Sequence, residues 1–151
     1  ETLKENHFSK EENKLITNEE KENMKFGTNL HYMLENINLK DPNYNILNDN
    51  EKSILSNLLK NSIFSNINNA KIYQEYEFID IKENEEKVGV IDLMLEYDDH
   101  IDIIDYKLKH TDDPAYKKQL EGYKSFIESK THKKTFTYLY SLTTRTLTKI
   151  D

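Results

Sequence analysis

Residues 87–109 read KVGVIDLMLEYDDHIDIIDYKLK, and this stretch decides the fold. Two runs rich in β-branched and aromatic residues flank the polar pair Asp98-Asp99, which predicts a β-hairpin with a two-residue turn. Paired residue numbers then sum to 197, so Asp92 lies opposite Asp105 with β-carbons about 5 Å apart. Lys107 shares their face because side chains alternate along a strand. Two facing carboxylates repel each other unless a cation neutralises them, so the hairpin predicts a metal site.

A further strand is predicted upstream, where residues 71–81 read KIYQEYEFIDI. It completes an antiparallel meander of three strands, and the length of its turn decides which glutamate reaches the site. A loop from Glu83 to Glu86 places Glu77 beside Asp92, whereas a tighter loop places Glu75 there. The residues alone leave both registers open.

The remaining elements are predicted from hydrophobic period and capping residues. A polar, helix-forming stretch over residues 9–22 predicts a peripheral helix, and residues 24–37 predict a helix with a buried stripe. Asn48 or Asp49 caps a second helix, and Asp113 with Pro114 opens a third that runs to Thr131. Residues 135–142 and 145–150 predict two more strands. We therefore expect one α/β or α+β domain, with a peripheral segment over residues 1–23 and a core over residues 24–151.

Composition limits the function more than it identifies it. The 151 residues include no cysteine, which excludes disulfides, thiolate zinc sites, iron–sulfur clusters and cysteine nucleophiles. No apolar run approaches the roughly 20 residues that cross a bilayer, so we expect a cytoplasmic protein without a membrane partner. The net charge of −7 argues against nucleic acid at first. However, residues 75–105 carry twelve acids and two lysines, whereas residues 107–134 carry eight lysines and four acids. Carboxylates for a divalent cation beside a basic surface for phosphates would produce this division. Charge alone favours two ordinary solvated faces.

Five motifs in order resemble the RecB-like nucleases of the PD-(D/E)xK superfamily. Residues 27–35 (GTNLHYMLE) resemble the GxxxHxxLE helix of that family, and residues 75–78 (EYEF) resemble its E-x-P-F strand. Residues 89–94 (GVIDLM) and 104–107 (IDYK) resemble its GxxD…DYK core, and residues 116–123 (YKKQLEGY) its QxxxY helix. The closest likeness is to the C-terminal nuclease domain of AddA- and RecB-type helicase–nucleases, over roughly residues 24 to 142. Ile91 replaces the proline of the superfamily name, and Glu77 replaces the proline of E-x-P-F.

The resemblance implies a restriction-endonuclease-like fold and assigns a role to each residue of the site. Asp92 and Asp105 would bind Mg²⁺ or Mn²⁺, with a backbone carbonyl of Leu108 or Ile104 near them. His31 would be a nitrogen ligand of the metal or would position a water, and the resemblance implies the ligand; taken alone, this histidine would be a partly buried structural residue or a surface residue. Lys107 would orient the attacking water or stabilise charge in the transition state, and Glu75 is favoured over Glu77 for a metal-bound water or a second ion. Further residues would contact DNA or brace the site: Gln119 and Tyr123, with Lys117, Lys118, Lys124, Lys133 and Lys134 as backbone contacts.

The function expected from this resemblance is a metal-dependent deoxyribonuclease, most simply an exonuclease, acting in DNA end processing and recombinational repair. Because the chain begins without methionine, it is expected to be a piece of a longer helicase–nuclease, or the partner of a helicase. Two alternatives stay open. One is a catalytically silent module that binds or docks nucleic acid on the same fold. The other is a ribonuclease or a restriction-type endonuclease.

Overall fold

A computed structural model describes residues 29–108 and 112–150, together with the backbone of residues 5–7. The peripheral helix expected over residues 9–22, and the first residues of the helix expected from residue 24, lie outside this part of the chain. The elements in chain order are β1 (Glu5–His7), α1 (residues 29–36), α2 (Asp49–Leu59), β2 (Lys71–Lys82), β3 (Glu85–Glu96), β4 (His100–Lys107), α3 (Pro114–Thr131), β5 (Lys134–Ser141) and β6 (Leu147–Ile150), with short 3-10 helices at Tyr44–Ile46, Ser62–Phe64 and Ile67–Asn69.

Within the described residues, six strands form one mixed sheet. Strands β2, β3 and β4 form the predicted antiparallel meander, and α3 then carries the chain to β5, which lies parallel to β4. Strand β6 pairs antiparallel with β5. Strand β1 lies parallel to β3, on the edge that β4 leaves free. Sequence did not predict β1, because its three residues are polar and carry no period. The expected α/β class with a mixed sheet is confirmed.

Helices cover both faces of the sheet. The predicted stripe of α1 (Leu30, Met33, Leu34 and Ile37) is buried with Ile54, Leu55 and Leu58 of α2 in one core. Asn48 caps α2 through a capping box with Glu51, which fits one of the two caps predicted. On the other face, Leu120, Tyr123, Phe126 and Ile127 of α3 pack in a second core. Asp113 caps α3 and Pro114 begins it, as predicted. In the described part of the chain, no helix combines the length and apolarity that a membrane crossing needs.

The two hairpins of the meander differ in how well sequence predicted them. The β3–β4 register is confirmed: Leu93 pairs with Ile104, and the pairs continue at a sum of 197 to the turn. The prediction of a four-residue loop between β2 and β3 is wrong. Glu83 and Asn84 form a two-residue turn with φ of 52° and 64°, the left-handed values that a type I′ turn requires. Neither residue is glycine, so the turn lacks the strongest signal for this conformation in a sequence.

Glu75 interrupts β2 in the middle of its pairing with β3. Pairs are formed by Gln74 with Leu93 and by Tyr76 with Ile91, and between them Glu75 and Asp92 stand opposite each other outside the ladder. Glu75 has a φ of 55°, a left-handed conformation that is strained for a residue with a β-carbon. The strands exchange faces here. Leu93 belongs to the core under α1 and α2, whereas Ile91 belongs to the core under α3, although both are odd-numbered.

Candidate metal-binding and catalytic site

Asp92 and Asp105 form the centre of the site, at the point where β3 and β4 separate. Their residues are only 9% and 1% exposed. Asp92 Oδ2 accepts a hydrogen bond of 2.7 Å from the Tyr106 backbone N–H, in the place where a ladder bond from β3 would lie. The two carboxyl groups also interact directly, so the first to ionise makes its neighbour hold its proton more tightly.

The surroundings favour the proton on Asp105. Burial raises the pKa of Asp105 well above its usual value, the negative charge of Asp92 adds to the rise, and Lys107 offsets only part of it. Burial also raises the pKa of Asp92, but hydrogen bonds from His31 and Asp105 outweigh burial and lower it overall. Of the two groups, Asp92 is therefore the more readily ionised, and Asp105 keeps its proton to higher pH.

Lys107 lies beside this pair and is itself buried. Its Nζ is 3.2 Å from Asp105 Oδ2 and 4.4 Å above the centroid of the Tyr116 ring, with 8% of the residue exposed. Burial alone would lower the pKa of Lys107, but the charges of Asp105 and Asp92 outweigh burial and raise it. Lys107 is therefore an ammonium cation at neutral pH.

His31 reaches the site from α1. Its Nε2 lies 3.2 Å from the Tyr106 carbonyl oxygen and 3.6 Å from Asp92 Oδ2. The backbone carbonyl that contacts His31 is thus that of Tyr106, to which sequence reasoning assigned no role. The Leu108 carbonyl instead accepts from the Thr143 hydroxyl.

Gln74 fixes the height of α1 over the sheet. Its side-chain amide donates to the carbonyls of Leu34 at 2.8 Å and of Ile37 at 2.9 Å, which the end of a helix leaves without partners. His31 lies one turn before Leu34, so this contact sets where the imidazole stands. Gln74 is also the residue before Glu75, so α1 is anchored next to the kink.

Glu75, rather than Glu77, lies at the site. Burial, the charge of Asp92 and a hydrogen bond with Glu35 raise the pKa of Glu75 to about 7, and His31 lowers it slightly. Glu77 is exposed and pairs with Val90, because the tight turn at Glu83 and Asn84 sets the register. The placement of Glu77 beside Asp92 is therefore wrong, and the register that selects Glu75 is the one the structure has.

Glu35 is a site residue to which sequence reasoning assigned no role. It hydrogen-bonds to Glu75 and lies one helical turn after His31, so both project from one face of α1. The signal was present in the GxxxHxxLE motif, where the spacing of four between His and Glu predicts this common face. Glu35 thereby adds to the rise in the pKa of Glu75.

The residues expected on α3 divide into two groups. Tyr123 is fully buried, and its hydroxyl donates 3.0 Å to the Val90 carbonyl, two residues before Asp92. It cannot reach a DNA backbone, so of its two expected roles only bracing remains.

Gln119 is half-buried, and its Oε1 has no hydrogen-bond partner among the described residues. Lys117, Lys118 and Lys134 are exposed, and Lys124 is half-buried. Lys133 is half-buried and bonded to Glu96 at 3.0 Å, which leaves it less free to contact a phosphate.

The donor set fits a hard divalent cation in kind. Asp92, Asp105 and the Tyr106 carbonyl supply oxygen and His31 supplies nitrogen, the ligands that Mn²⁺ and Mg²⁺ accept. Among residues 29–108 and 112–150, however, no three His, Asp or Glu side chains are already arranged to hold a metal ion. A cation bound between these carboxyl groups would relieve the repulsion that now raises the pKa values of Asp105 and Glu75.

A polar pocket lies at the other end of β4, away from Asp105, and sequence did not predict it. Its volume is about 810 Å³, and its lining includes His100, Asp102, Lys134, Phe136 and Lys149. His100 stands between two carboxylates, with Nδ1 at 2.7 Å from Asp99 Oδ1 and Nε2 at 3.5 Å from Asp102 Oδ2. One imidazole thus serves two acids, and burial still raises the pKa of Asp102, with His100 and Lys149 offsetting part of the rise.

Neither a protein-family model nor a curated protein matches this sequence. The site geometry therefore stands on the chain's own residues.

Proposed function

We propose that this chain is a Mg²⁺- or Mn²⁺-dependent deoxyribonuclease of the RecB-like PD-(D/E)xK type on a restriction-endonuclease-like fold. The observation that carries the proposal is the buried Asp92–Asp105 pair, with Lys107 at 3.2 Å on one side and His31 at 3.6 Å on the other. Structural ion pairs balance their charges, whereas this cluster buries more carboxyl groups than cations, and the pKa values of Asp105 and Glu75 are raised as a result. Such an arrangement is typical of a site whose natural partner is a cation.

Each residue has a part that its position supports. Asp92, Asp105, His31 and the Tyr106 carbonyl would hold the ion, which when bound supplies positive charge and an activated water. Lys107 remains protonated, so it acts as a fixed cation that stabilises negative charge on the phosphate rather than as a base. Glu35 and Glu75 form the outer wall of the site on the α1 side. The exposed Lys117 and Lys118, on the turn of α3 that follows Tyr116, suit contacts with a phosphate backbone.

The biological setting proposed is DNA end processing in recombinational repair, with a helicase domain or subunit supplying the strand. It rests on the likeness of the five motifs to RecB-like nucleases. DNA and a helicase are accordingly the partners we propose, and the cytoplasm is the proposed location.

The proposal is tested by incubating the purified protein with labelled single-stranded DNA, duplex DNA and RNA, in Mn²⁺, in Mg²⁺ and in chelator. We expect metal-dependent cleavage of DNA. Asp105→Asn and Lys107→Met should each reduce kcat at least a hundredfold, roughly the effect of removing one group that stabilises a transition state. Asp102→Asn is the matched control, since it removes a buried aspartate from the same strand and should cleave as wild type.

Three outcomes would decide between the candidates. Cleavage that is equal in wild type and both site variants would show that the active-site assignment is wrong. A folded wild type that binds DNA but cleaves none of the substrates in Mn²⁺ is the silent module. Cleavage of RNA alone would replace deoxyribonuclease with ribonuclease.

A further inference from the structure

The contact between Lys107 and Tyr116 differs from every other lysine–aromatic contact in the described chain. Lys71, Lys130, Lys134 and Lys149 also lie over rings, at 4.7 to 5.5 Å, but all four are exposed. Exposed lysines commonly lay their stems on apolar surface in this way. Lys107 is 8% exposed, and its Nζ is closer to the ring, at 4.4 Å. A cation–π contact is stronger where water is excluded.

The position of Tyr116 follows from the way α3 packs. Tyr116, Leu120, Tyr123 and Ile127 recur at spacings of four, three and four, which places them on one face of the helix. The last three are buried in the core between α3 and the sheet, and Tyr116 packs at its margin. Tyr116 is in the first turn of α3, whose start is fixed by the Asp113 cap and Pro114. The ring is therefore held over the end of β4, where Lys107 is the last residue.

The ammonium group of Lys107 has three N–H donors, and neighbouring groups lie on two sides of it. Asp105 Oδ2 lies at 3.2 Å and the Tyr116 ring lies on another side. A lysine side chain otherwise has many rotamers, and fixing one of them costs entropy. We propose that Tyr116 is a positioning residue for Lys107: its ring confines the ammonium beside Asp105 so that the remaining N–H points at the reacting phosphate. This role rests on the proposed nuclease function.

The contact itself is tested without any nuclease assay. Lysines of the folded, metal-free protein are acetylated with a limiting amount of reagent, and the rate at Lys107 is read by peptide mass spectrometry. We expect Lys107 to react slowly in wild type and in Tyr116→Phe, which keeps the ring. In Tyr116→Leu it should react roughly three- to thirtyfold faster, the range that a partly to fully desolvated cation–π contact supports. Phe136→Leu is the control, because it removes a ring under Lys134 and Lys149 and should leave the rate at Lys107 unchanged.

Cleavage by the same variants then tests the positioning role. Tyr116→Leu should lower kcat about ten- to a hundredfold with little change in KM, because a displaced catalytic group impairs the chemical step and leaves DNA binding intact. Tyr116→Phe should restore the wild-type kcat. Should Tyr116→Leu fail to fold, as judged by circular dichroism, Tyr116→Met replaces it.

The outcomes separate the two proposals. An unchanged acetylation rate at Lys107 in Tyr116→Leu, or a kcat equal to that of wild type, overturns the role of Tyr116. Loss of kcat in Tyr116→Phe equal to that in Tyr116→Leu also overturns it, since the ring would not be the active feature. A wild type without cleavage, in which Lys107 nevertheless becomes reactive in Tyr116→Leu, preserves the contact and overturns the nuclease function.

Discussion

The two ends of strand β4 carry the same kind of pair in opposite surroundings. At the first end, Asp102 faces His100 at 3.5 Å, and at the other, Asp105 faces Lys107 at 3.2 Å. Both aspartates are almost fully buried. Burial raises the pKa of both aspartates, but His100 and Lys149 offset part of the rise at Asp102, whereas the charge of Asp92 adds to the rise at Asp105. A buried ion pair that is balanced needs nothing further, but one with a surplus carboxylate must hold a proton or a cation.

The largest difference between the two ends of β4 should be in metal binding. Because only the Asp105 end carries surplus carboxyl groups, Mn²⁺ at about 100 times its Kd should stabilise the folded protein by roughly 2.7 kcal/mol. For a domain of this length, that raises Tm by about 5–10 °C. Asp105→Asn should lose the shift and Asp102→Asn should keep it, as measured by thermal unfolding with and without metal. An equal shift in both variants would place the ion elsewhere.

Asp105→Asn should also stabilise the metal-free protein near pH 8, by on the order of 1 kcal/mol. The asparagine amide can donate to Asp92 as the protonated Asp105 does, and it removes the cost of ionising a second buried carboxyl group. Asp102→Asn should change stability less, since His100 and Lys149 already offset part of the cost of burial there. Urea unfolding curves measure both. Destabilisation by Asp105→Asn would show that the pair with Lys107 outweighs the repulsion from Asp92.

Stability of the metal-free protein should fall as pH rises toward neutrality. The pKa of Glu75 is about 7 in the folded protein against an ordinary 4.5, so the folded state keeps a proton that the unfolded chain has released. This contribution is complete below pH 4.5 and is lost as pH rises through about 7. The raised pKa of Asp105 acts in the same direction. Urea midpoints at several pH values measure the slope, which Glu75→Gln should flatten. A slope unchanged in that variant would contradict the assignment to Glu75.

Backbone strain gives the smallest effect and can be separated from charge with glycine. Glu83 has a φ of 52° in an exposed turn far from the site, so Glu83→Gly should stabilise by up to about 1 kcal/mol. Glu75→Gly should gain at least as much, because it relieves strain and repulsion together. Glu77→Gly, two residues along the same strand, should instead destabilise by about 0.5–1 kcal/mol. Destabilisation by Glu75→Gly would mean that its bond to Glu35 outweighs the strain.

The sequence predicted the site where ordinary local rules held, and failed where a residue broke them. Asp98-Asp99 is a plain two-residue turn, so counting from it gave the register that brings Asp92 to Asp105. The turn at Glu83 and Asn84 uses left-handed residues without a glycine, and the count from a longer loop selected Glu77. The family likeness favoured Glu75, which is the glutamate that lies beside Asp92.

Other features depend on contacts that no local pattern encodes. The Tyr106 carbonyl faces His31 because β3 and β4 separate beyond the pair formed by Leu93 and Ile104. Nothing in the residue types predicts that separation. The polar pocket beside Asp102 forms between β4 and the residues that follow α2, which are far apart in sequence. Tyr116 is the first residue of the YKKQLEGY motif. Its ring contacts Lys107 only because α3 begins directly above the last residue of β4.

The exchange of faces at Glu75 and Asp92 has a consequence for how this protein can change during evolution. Residues 76–91 form a hairpin arm that joins the rest of the sheet through the kink. One residue inserted on each side of the turn at Glu83 and Asn84 would lengthen this arm and leave every residue between Lys71 and Gln74 in place against Leu93 to Glu96. A residue inserted between Gln74 and Glu75 would instead move Gln74, which holds α1, away from the carboxyl groups of Glu75 and Asp92. We therefore expect related chains to vary in the length of the arm and to keep the spacing around the kink fixed.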